Sequence, residues 1–452
     1  MLCAVFRRAA PDPFVLAVLL TIITLILALT LTDVGLPGAI AAWSGDTGLW
    51  SAGMLRFAMQ MCLILITGHA LASSPPITRS LTWLASKPRT PTQAVVFVAA
   101  TAMLLAILNW GLGLIAGAIM ARRVGLAMDR KGVKVHYPIL AASGYLGMMV
   151  WHGGFSGSAP LKVTKAREIT DIFGPNPPIE PIALSQTILS PMNLIITGGL
   201  IVLSLGVMVL MHPRDGHITA SDHGVTPEVT PPPAATADDK PLIPRLLEDT
   251  PMLSIVLVAM MGVWAWRYYF PGVGQSGVYE LTPDAVNMTM LMAGLILHGT
   301  PMRYVRAVEE AIGGCAGIVL QFPLYAGIMG LMHESGLTRL LAEGIASASN
   351  ATTLPLMTFI SAGVVNLFVP SGGGQWAVQG PIAMQSAVTS GVDPAKMVMS
   401  VAYGDQLTNM LQPFWALPLL AVTRVKARDI VGYTAVAMVL GSAWISLWLV
   451  VL

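Results

Sequence analysis

Charged residues are scarce in this chain of 452 residues: Asp, Glu, Lys and Arg together make up 11% of it. Soluble domains carry roughly 25% charged residues. Hydrophobic residues reach 55%, and the mean hydropathy is +0.71. The composition therefore predicts an all-α polytopic membrane protein in the lipid bilayer, without a separate soluble domain.

Net basic charge and cysteine are also in short supply. The formal net charge is only +2, so we expect no face for binding nucleic acid. Cys3, Cys62 and Cys315 are scattered in or beside apolar segments, and they indicate neither a disulfide framework nor a metal site. No cofactor is expected. A cleavable signal peptide is not evident, because Arg7 and Arg8 precede an apolar run long enough to span and stay.

The longest charge-free stretch, 49 residues from Gly344 to Val392, contains the tract VPSGGGQW. Pro370 removes a backbone donor there, and the run Gly372 to Gly374 disfavours a continuous helix. Backbone groups freed in hydrocarbon cost several kcal/mol each unless they find partners. The tract therefore predicts a hairpin of helices over about 352–391, whose tip offers backbone groups to a ligand. A glycine-rich seam for helix packing is the alternative.

A second interrupted segment lies over about 92–121 and breaks near Asn109. Basic residues precede and follow it: Arg79, Lys87, Arg89, Arg122, Arg123 and Arg130. By the positive-inside rule both of its ends are cytoplasmic. Its arms, about 15 and 8 residues, are short against the ~20 residues that a span needs. The pattern predicts a re-entrant hairpin, although two full spans would also place both ends on the cytoplasmic side.

Two further segments are interrupted where a membrane helix should continue. The segment 136–161 is broken by WHGGFSGS, and the segment 396–423 is weak at LQP. The stretch 212–250 is polar and rich in proline, which indicates a flexible cytoplasmic linker. The stretch 251–270 is a span without a counterpart.

The two halves of the chain, 1–211 and 284–452, match at a fixed offset of 260 residues. His152 then lies over Gln412, at the two helix breaks, and Asn109 lies over Asn366 at an offset of 257. Each half has four full spans, an even number. The single unpaired helix would therefore give the second half the opposite orientation in the membrane. The order predicts two inverted repeats, as in secondary transporters that bind substrate between broken helices. The N-terminus would be cytoplasmic.

Four tracts carry a resemblance to a known family: ILNWGLGLIAGAIMARRV, GYLGMMVWHGGFSGSAPL, VNLFVPSGGGQWAVQGP and AYGDQLTNMLQPFWALPLL. They resemble the AtoE-type short-chain fatty acid transporter family, within the ion-transporter superfamily. The resemblance implies a homodimer with a scaffold and an elevator-type transport domain in the inner membrane. It also implies uptake of small monocarboxylates such as acetoacetate or butyrate by symport with Na⁺ or H⁺.

A carboxylate needs hydrogen-bond donors, and N–H groups at the starts of half-helices supply them. The candidate substrate-binding residues are Asn109, Gly111, Gly113, Trp151, His152, Ser156, Ser158, Ser371, Gly372, Gly373, Gly374, Gln375, Trp376, Thr408 and Asn409. Aromatic residues at the breaks would line the alkyl tail or serve in ordinary packing: Trp151, Phe155, Trp376, Phe414 and Trp415. No Lys or Arg lies at the breaks in the sequence.

Asp405 is the single acid between 397 and 423. A charge at mid-membrane costs about 2.5–3.5 kcal/mol on insertion scales, which makes this residue a functional candidate. We expect Asp405, Asn109 and Asn366 to bind the coupling cation, with Na⁺ at Asp405 and Asn366 or a proton on Asp405. His152 would bind the carboxylate, move a proton or have a structural role. No catalytic constellation is present, so we expect a carrier and not an enzyme; a dicarboxylate carrier or a cation/proton exchanger is the alternative.

Overall fold

A computed structural model of the protein describes residues 12–173, 176–213, 215–226, 241–270, 282–347, 349–412 and 414–452. These residues form helices and connecting loops, with no β-strand among them. Eight helical segments in this part of the chain are long and apolar enough to cross a membrane, by length and composition. The predicted all-helical, polytopic class is therefore confirmed.

The described residues of the first half contain ten α-helices. They are α1 (Pro13–Leu31), α2 (Leu36–Ser44), α3 (Ala52–Ser73), α4 (Pro75–Ala85), α5 (Pro91–Leu108), α6 (Trp110–Arg130), α7 (Tyr137–Tyr145), α8 (Ser158–Lys162), α9 (Ala166–Phe173) and α10 (Pro191–Leu210). Two turns of 3₁₀-helix, Leu146–Met149 and Trp151–Gly153, lie between α7 and α8.

The remainder contains eleven helices in its described residues. They are α11 (Leu242–Glu248), α12 (Met252–Tyr269), α13 (Pro283–His298), α14 (Pro301–Ile312), α15 (Ala316–Glu334), α16 (Leu337–Ser347), α17 (Leu354–Phe368), α18 (Gly372–Ser390), α19 (Pro394–Thr408), α20 (Leu417–Thr423) and α21 (Ala427–Val451).

Several of the long helices begin at a polar cap followed directly by proline. The pairs are Asp12–Pro13 at α1, Thr90–Pro91 at α5, Ser190–Pro191 at α10 and Asp393–Pro394 at α19. The capping side chain accepts a hydrogen bond from a first-turn N–H group, and proline has no N–H group to leave unsatisfied there. Local sequence thus sets where these helices begin.

The order of elements is the same in the two halves. Each has a long helix, a short helix, a second long helix, an amphipathic helix, a helical hairpin, a broken segment and a last long helix. The helix α12 lies between the two halves in the order of elements. The helices α3, α13, α14 and α15 pack together as one group, whereas each hairpin packs on a broken segment.

The first hairpin has longer arms than the sequence predicted. Its arms α5 and α6 have 18 and 21 residues, and both are long and apolar enough to cross a membrane. The second arm does not stop at 121, because arginine is a good helix former and Arg123 finds acceptors, such as the backbone oxygen of Ala72 at 3.3 Å. Arm length therefore gives no argument for re-entry at this hairpin.

The helix break of the second hairpin precedes the three glycines at which it was expected. The residues Gly372–Gly374 form the first turn of α18, so the expectation that they interrupt the helix was wrong. The break is at 369–371, where Pro370 lies and where Ser371 caps α18. The Oγ of Ser371 accepts a hydrogen bond from the N–H group of Gly374 at 3.2 Å, which offsets the weak helix propensity of glycine.

Both broken segments also leave the α-helix earlier than the sequence predicted. The first α-helical half ends at Tyr145, before the predicted break at Trp151, and continues as 3₁₀-helix. The second ends at Thr408, three residues before the predicted weak point at Leu411, and the helix resumes at Leu417. Pro413 of the predicted break lies outside the described residues.

The first part of the predicted linker is docked on the helices. We call residues 215–226 the docked segment. The N–H group of Ile218 donates to His136 Nδ1 at 3.2 Å. The hydroxyl and N–H groups of Ser221 donate to Asp129 Oδ2 at 2.9 and 3.0 Å. A Pro-rich composition had indicated a flexible chain, but this segment has specific partners on α6 and at the start of α7.

Two arginines extend this attachment to both halves. Arg122 donates to the backbone oxygen of Thr226 at 3.3 Å, and Arg424 donates to that of Gly224 at 3.2 Å. The rest of the Pro-rich stretch, 227–240, lies outside the described residues. The docked segment therefore links the ends of the first hairpin and of the second broken segment.

Candidate functional site

The tip of the second hairpin lies against the break of the first half. A Cβ atom at Gly372 would be 2.9 Å from Trp151 Cη2, 3.0 Å from His152 Cε1 and 3.1 Å from Ser158 Oγ. These distances leave no room for a side chain, so only glycine allows this approach. The structure thus brings together predicted site residues that are more than 200 positions apart.

The tip of the first hairpin is attached to the same break. Asn109 caps α6, because its Oδ1 accepts a hydrogen bond from the N–H group of Leu112 at 3.1 Å. The N–H group of Trp110 donates to Ser156 Oγ at 2.9 Å. Two of the first N–H groups of α6 therefore have protein partners.

The start of α18 keeps more free donors than the start of α6. The first N–H groups of any helix lack intrahelical acceptors. Ser371 Oγ accepts from the N–H group of Gly374, whereas the N–H groups of Gly372 and Gly373 have no acceptor among the described residues and can bind a ligand. Because a helix N-terminus also carries a partial positive charge, this tip suits a carboxylate.

The glycines of the two tips have different roles. A Cβ atom at Gly113 would be 2.4 Å from that of Ala106, so this glycine serves close packing between the arms of the first hairpin. At Gly111 the nearest atom would be 3.4 Å away. At Gly373 it would be Lys162 Cε at 3.9 Å, an ordinary contact, so a side chain has room at this position. Close packing thus accounts for Gly113 of the first hairpin, whereas Gly373 of the second has room beside it for a ligand.

Asp405 and His152 face each other in the interior. His152 Nδ1 is 3.5 Å from Asp405 Oδ1, and the side chains are 1% and 2% exposed. The N–H group of Ala159 donates to His152 Nε2 at 3.2 Å. A nitrogen that accepts a hydrogen bond carries no proton, so we assign the proton of the neutral ring to Nδ1, on the side of Asp405.

The neighbouring residue of α19 holds the first break in place. Gln406 Oε1 accepts hydrogen bonds from the N–H groups of His152 at 3.0 Å and Gly153 at 3.3 Å. This contact joins the second-half helix to the 3₁₀ turn of the first half. It fixes the imidazole relative to Asp405.

Asn366 holds the end of α19. Its Nδ2 lies 2.8 Å from the backbone oxygen of Asp405, 3.0 Å from Thr408 Oγ1 and 2.9 Å from Asn409 Oδ1. Gln412 Nε2 in turn donates to the backbone oxygen of Asn366 at 3.2 Å. The predicted cation-binding pair of Asp405 and Asn366 is therefore within one hydrogen-bond network.

The predicted pairing of Asn109 with Asn366, each at a hairpin tip, was wrong. Asn366 lies inside the first arm α17, whereas Asn109 caps the second arm of its hairpin. The residue that occupies the capping position in the second hairpin is Ser371. The offset of 257 matched residue types but not positions in the fold.

Several buried polar atoms around this network have no hydrogen-bond partner among the described residues. The oxygens are Asn366 Oδ1, Gln375 Oε1, Asp405 Oδ2 and Gln412 Oε1, and the nitrogens are Trp151 Nε1, His152 Nδ1, Gln406 Nε2 and Asn409 Nδ2. A buried polar group without a partner costs about 1–3 kcal/mol. Such atoms mark a polar site: the oxygens suit a small hard cation, and the N–H groups suit an anion.

An aromatic cluster adjoins the break. The ring of Trp110 lies 5.0 Å from that of Trp415 and 6.4 Å from that of Trp151, and Phe57 lies 5.7 Å from Trp415. Phe414 packs on Trp415 at 5.2 Å. Three of the five predicted aromatic residues therefore lie in one cluster, together with Trp110 and Phe57. The position of Trp110 next to the tip residue Asn109 was a usable signal, but nothing in the sequence marked Phe57.

The other two aromatic residues lie apart. Trp376 is fully buried, and its ring meets that of Phe173 edge-on at 6.2 Å. Phe155 is 37% exposed. Trp376 therefore packs in a separate apolar core, and its place among the substrate-binding residues stays a prediction.

A cavity of about 750 Å³ is lined by residues of α3, α14 and α15 and by residues of α6 and α20. His69 and Glu310 line one side, and Arg122, Leu417 and Arg424 line the other. The residues of the Asp405 network do not line it. The cavity is on the side of the basic helix ends, between the two groups of helices.

Helices long enough to span, with a buried polar network between broken segments, define a polytopic membrane protein with an internal polar site. A family model described as "Short chain fatty acid transporter" matches residues 1–452. The chain belongs to that family, which confirms the resemblance carried by the motifs.

Curated relatives agree with the family assignment. A "Putative short-chain fatty acid transporter" of Escherichia coli (strain K12) is 40% identical over 435 residues, which cover 95% of this chain and 94% of that protein. A protein of the same name from Haemophilus influenzae is 37% identical over 433 residues, 95% of this chain and 93% of its own. The family and these relatives are transporters and not enzymes, as the sequence predicted.

A solved structure, that of the Alcanivorax borkumensis YdaH transporter, is 17% identical and has a TM-score of 0.44. The alignment covers 98% of this chain and 97% of that one.

Proposed function

We propose that this protein takes up short-chain monocarboxylates such as acetoacetate or butyrate, by symport with Na⁺ or H⁺. The observation that carries the proposal is the start of α18. Gly372 and Gly373 offer N–H groups there, beside Trp151 and His152 of the first half. A carboxylate accepts two such hydrogen bonds and gains from the helix dipole.

The aromatic cluster gives the proposal its substrate class. Trp110, Trp151 and Trp415 lie within 6.4 Å of one another by ring centroid. They offer apolar surface for an alkyl tail of a few carbons, whereas a second carboxylate would lack a partner among them. This arrangement favours a monocarboxylate over the dicarboxylate alternative.

Asp405 gives the proposal its coupling. A carboxylate substrate that enters an interior with a buried aspartate needs a compensating positive charge, because repulsion between like charges is strong in a medium of low dielectric constant. A Na⁺ ion at the free oxygens of Asp405 and Asn366, or a proton on Asp405, would supply it. The unpartnered Asp405 Oδ2 equally suits a cation/proton exchanger, so the substrate dependence of ion flux separates the two functions.

The transport cycle is proposed to be of the elevator type. The matching element order and the unpaired α12 support two inverted repeats, and the 15 residues of α17 are short for a full span. In this proposal the hairpins and broken segments move against the group that contains α3, α14 and α15. A homodimer in the inner membrane, with a cytoplasmic N-terminus, completes the proposed assembly.

The experiment is uptake of labelled butyrate into proteoliposomes under an imposed Na⁺ gradient, an imposed pH gradient or neither. We expect accumulation above equilibrium with one of the two gradients and none without. Competition by acetoacetate but not by succinate would support the monocarboxylate class. Gradient-driven uptake of succinate alone would favour the dicarboxylate carrier, and coupled Na⁺/H⁺ flux without any carboxylate would favour the exchanger.

A further inference from the structure

A positively charged side chain from another helix lies next to the start of α18. Lys162 ends α8, the short helix after the first break, and its Cε is 3.9 Å from the position of a Cβ at Gly373. Its side chain is 38% exposed. Because Nζ is one bond beyond Cε, the ammonium group is within reach of a ligand at this tip.

A second observation marks the same place as a ligand site. The His152 side chain is 1% exposed, its Nδ1 has no hydrogen-bond partner among the described residues, and its Cε1 would be 3.0 Å from a Cβ at Gly372. A buried polar ring, one nitrogen of which makes no hydrogen bond among the described residues, therefore lies against the tip on its interior side. Lys162 faces it on the other side, at the next glycine.

The present partner of Lys162 is held loosely. Lys162 Nζ is 3.4 Å from Glu168 Oε2, and Lys165 Nζ is 4.0 Å from Glu168 Oε1. Glu168 is 35% exposed, and exposed pairs of this kind contribute little to stability. A carboxylate at the tip can replace Glu168 as the partner of Lys162, because Glu168 keeps Lys165.

We propose that Lys162 determines substrate specificity by exchanging the carboxylate of Glu168 for that of the substrate. In this role its ammonium group adds a full positive charge to the partial charge of the α18 N-terminus. The inference rests on the proposed function, since it assumes that an organic carboxylate binds at this tip. It accounts for selection of the anion over an uncharged analogue of the same shape.

The test is the KM for labelled butyrate in proteoliposomes, measured for the wild-type protein, Lys162→Gln, Lys162→Arg, Glu168→Gln and the matched control Lys165→Gln. We expect Lys162→Gln to raise KM about tenfold, the effect of about 1.4 kcal/mol in binding. Lys162→Arg should restore most of the affinity. Glu168→Gln should lower KM, because it removes the competing carboxylate, and Lys165→Gln should leave KM within about twofold.

Substrate binding and a structural role predict different changes in KM for this ion pair. If Lys162 binds substrate, Lys162→Gln raises KM and Glu168→Gln lowers it. If Lys162→Gln and Glu168→Gln both raise KM alike, the pair is structural and the inference is wrong. If the wild-type protein takes up butyrate and Lys162→Gln does so with unchanged KM, the inference fails while the proposed function stands. If the purified wild-type protein takes up no butyrate in any gradient, the proposed function fails and the inference with it.

Discussion

A single methyl group at Gly372 should weaken transport strongly at low substrate concentration, although the same change one residue later should not. In Gly372→Ala the new Cβ would lie 2.9 to 3.1 Å from side-chain atoms of Trp151, His152 and Ser158. All three belong to the first-half break, which the Gln406 contact fixes. The tip must therefore move away from the break or distort it.

The magnitude follows from overpacking. Insertion of an extra methyl group into a packed interior costs typically 1–3 kcal/mol. If that free energy opposes the state in which the tip and the break hold substrate, apparent affinity falls by a factor of about 5 to 150. Gly373→Ala meets only Lys162 Cε at 3.9 Å, an ordinary contact, so its effect should be within about twofold. Both substitutions are in the first turn of α18, and their helix propensity effects are alike.

The assay is the initial rate of labelled butyrate uptake in proteoliposomes, per amount of monodisperse protein, for the two alanine variants side by side. We expect Gly373→Ala to keep its rate and Gly372→Ala to lose most of it at low substrate concentration. Equal rates for the two variants would refute the close approach between the second tip and the first break. A greater loss of rate in Gly373→Ala would show that the tip is packed more tightly at Gly373 than at Gly372.

Two further predictions concern charge. Asp405→Asn keeps the shape of the side chain and removes its charge, so it should abolish gradient-driven accumulation; unchanged accumulation would make Asp405 structural. Burial holds the pKa of His212 below its usual 6.5, and its Nε2 accepts a hydrogen bond from the N–H group of His136 at 3.3 Å. A depressed pKa means that the docked state binds fewer protons than the free state, so docking of residues 215–226 should weaken as the pH falls below about 6.5. Protection of that segment from hydrogen exchange, taken relative to the intrinsic exchange rate at each pH, should fall from about pH 7.5 to about pH 5.5 in the wild type and fall less in His212→Gln; an equal fall in both would contradict this role.

The helices and the interrupted segments were predictable because the free-energy cost of polar groups in hydrocarbon restricts which residues a membrane segment can contain. Long apolar runs mark spans, and Pro370 marks a break because it lacks an N–H group. The position of that break was less accessible. The capping hydrogen bond of Ser371 keeps Gly372 to Gly374 helical, and this local contact outweighs the low helix propensity of the three glycines.

The contacts between the halves could not be predicted in the same way. Asn366 resembled Asn109 in sequence position, but capping geometry assigns the equivalent place to Ser371. Lys162 lies near Gly373 only because α8 comes close to the second hairpin after the first break. Such proximity depends on the packing of distant segments, and no residue pattern along the chain records it.

The attachment of the docked segment was also not predictable from the sequence. Its polar and Pro-rich surroundings indicated a flexible linker, but Ala220 and Val225 are only 1% and 2% exposed. Two small apolar residues are too weak a pattern to identify in a polar stretch. Their burial depends on surfaces of α6 and α7 that the segment itself does not contain.

The most direct test of the central claim is protection of a thiol at the start of α18 by substrate. Gly373→Cys should be tolerated, because Lys162 Cε is the only atom that would lie within 4 Å of its Cβ among the described residues. It is made in a chain whose native cysteines, Cys3, Cys62 and Cys315, are replaced. Alkylation of the introduced thiol by a maleimide is then followed with butyrate or with butyramide, which has the same size and no charge. We predict that butyrate slows alkylation in a saturable way and that butyramide does not; equal rates with both compounds, in protein that still takes up butyrate, would place the carboxylate elsewhere.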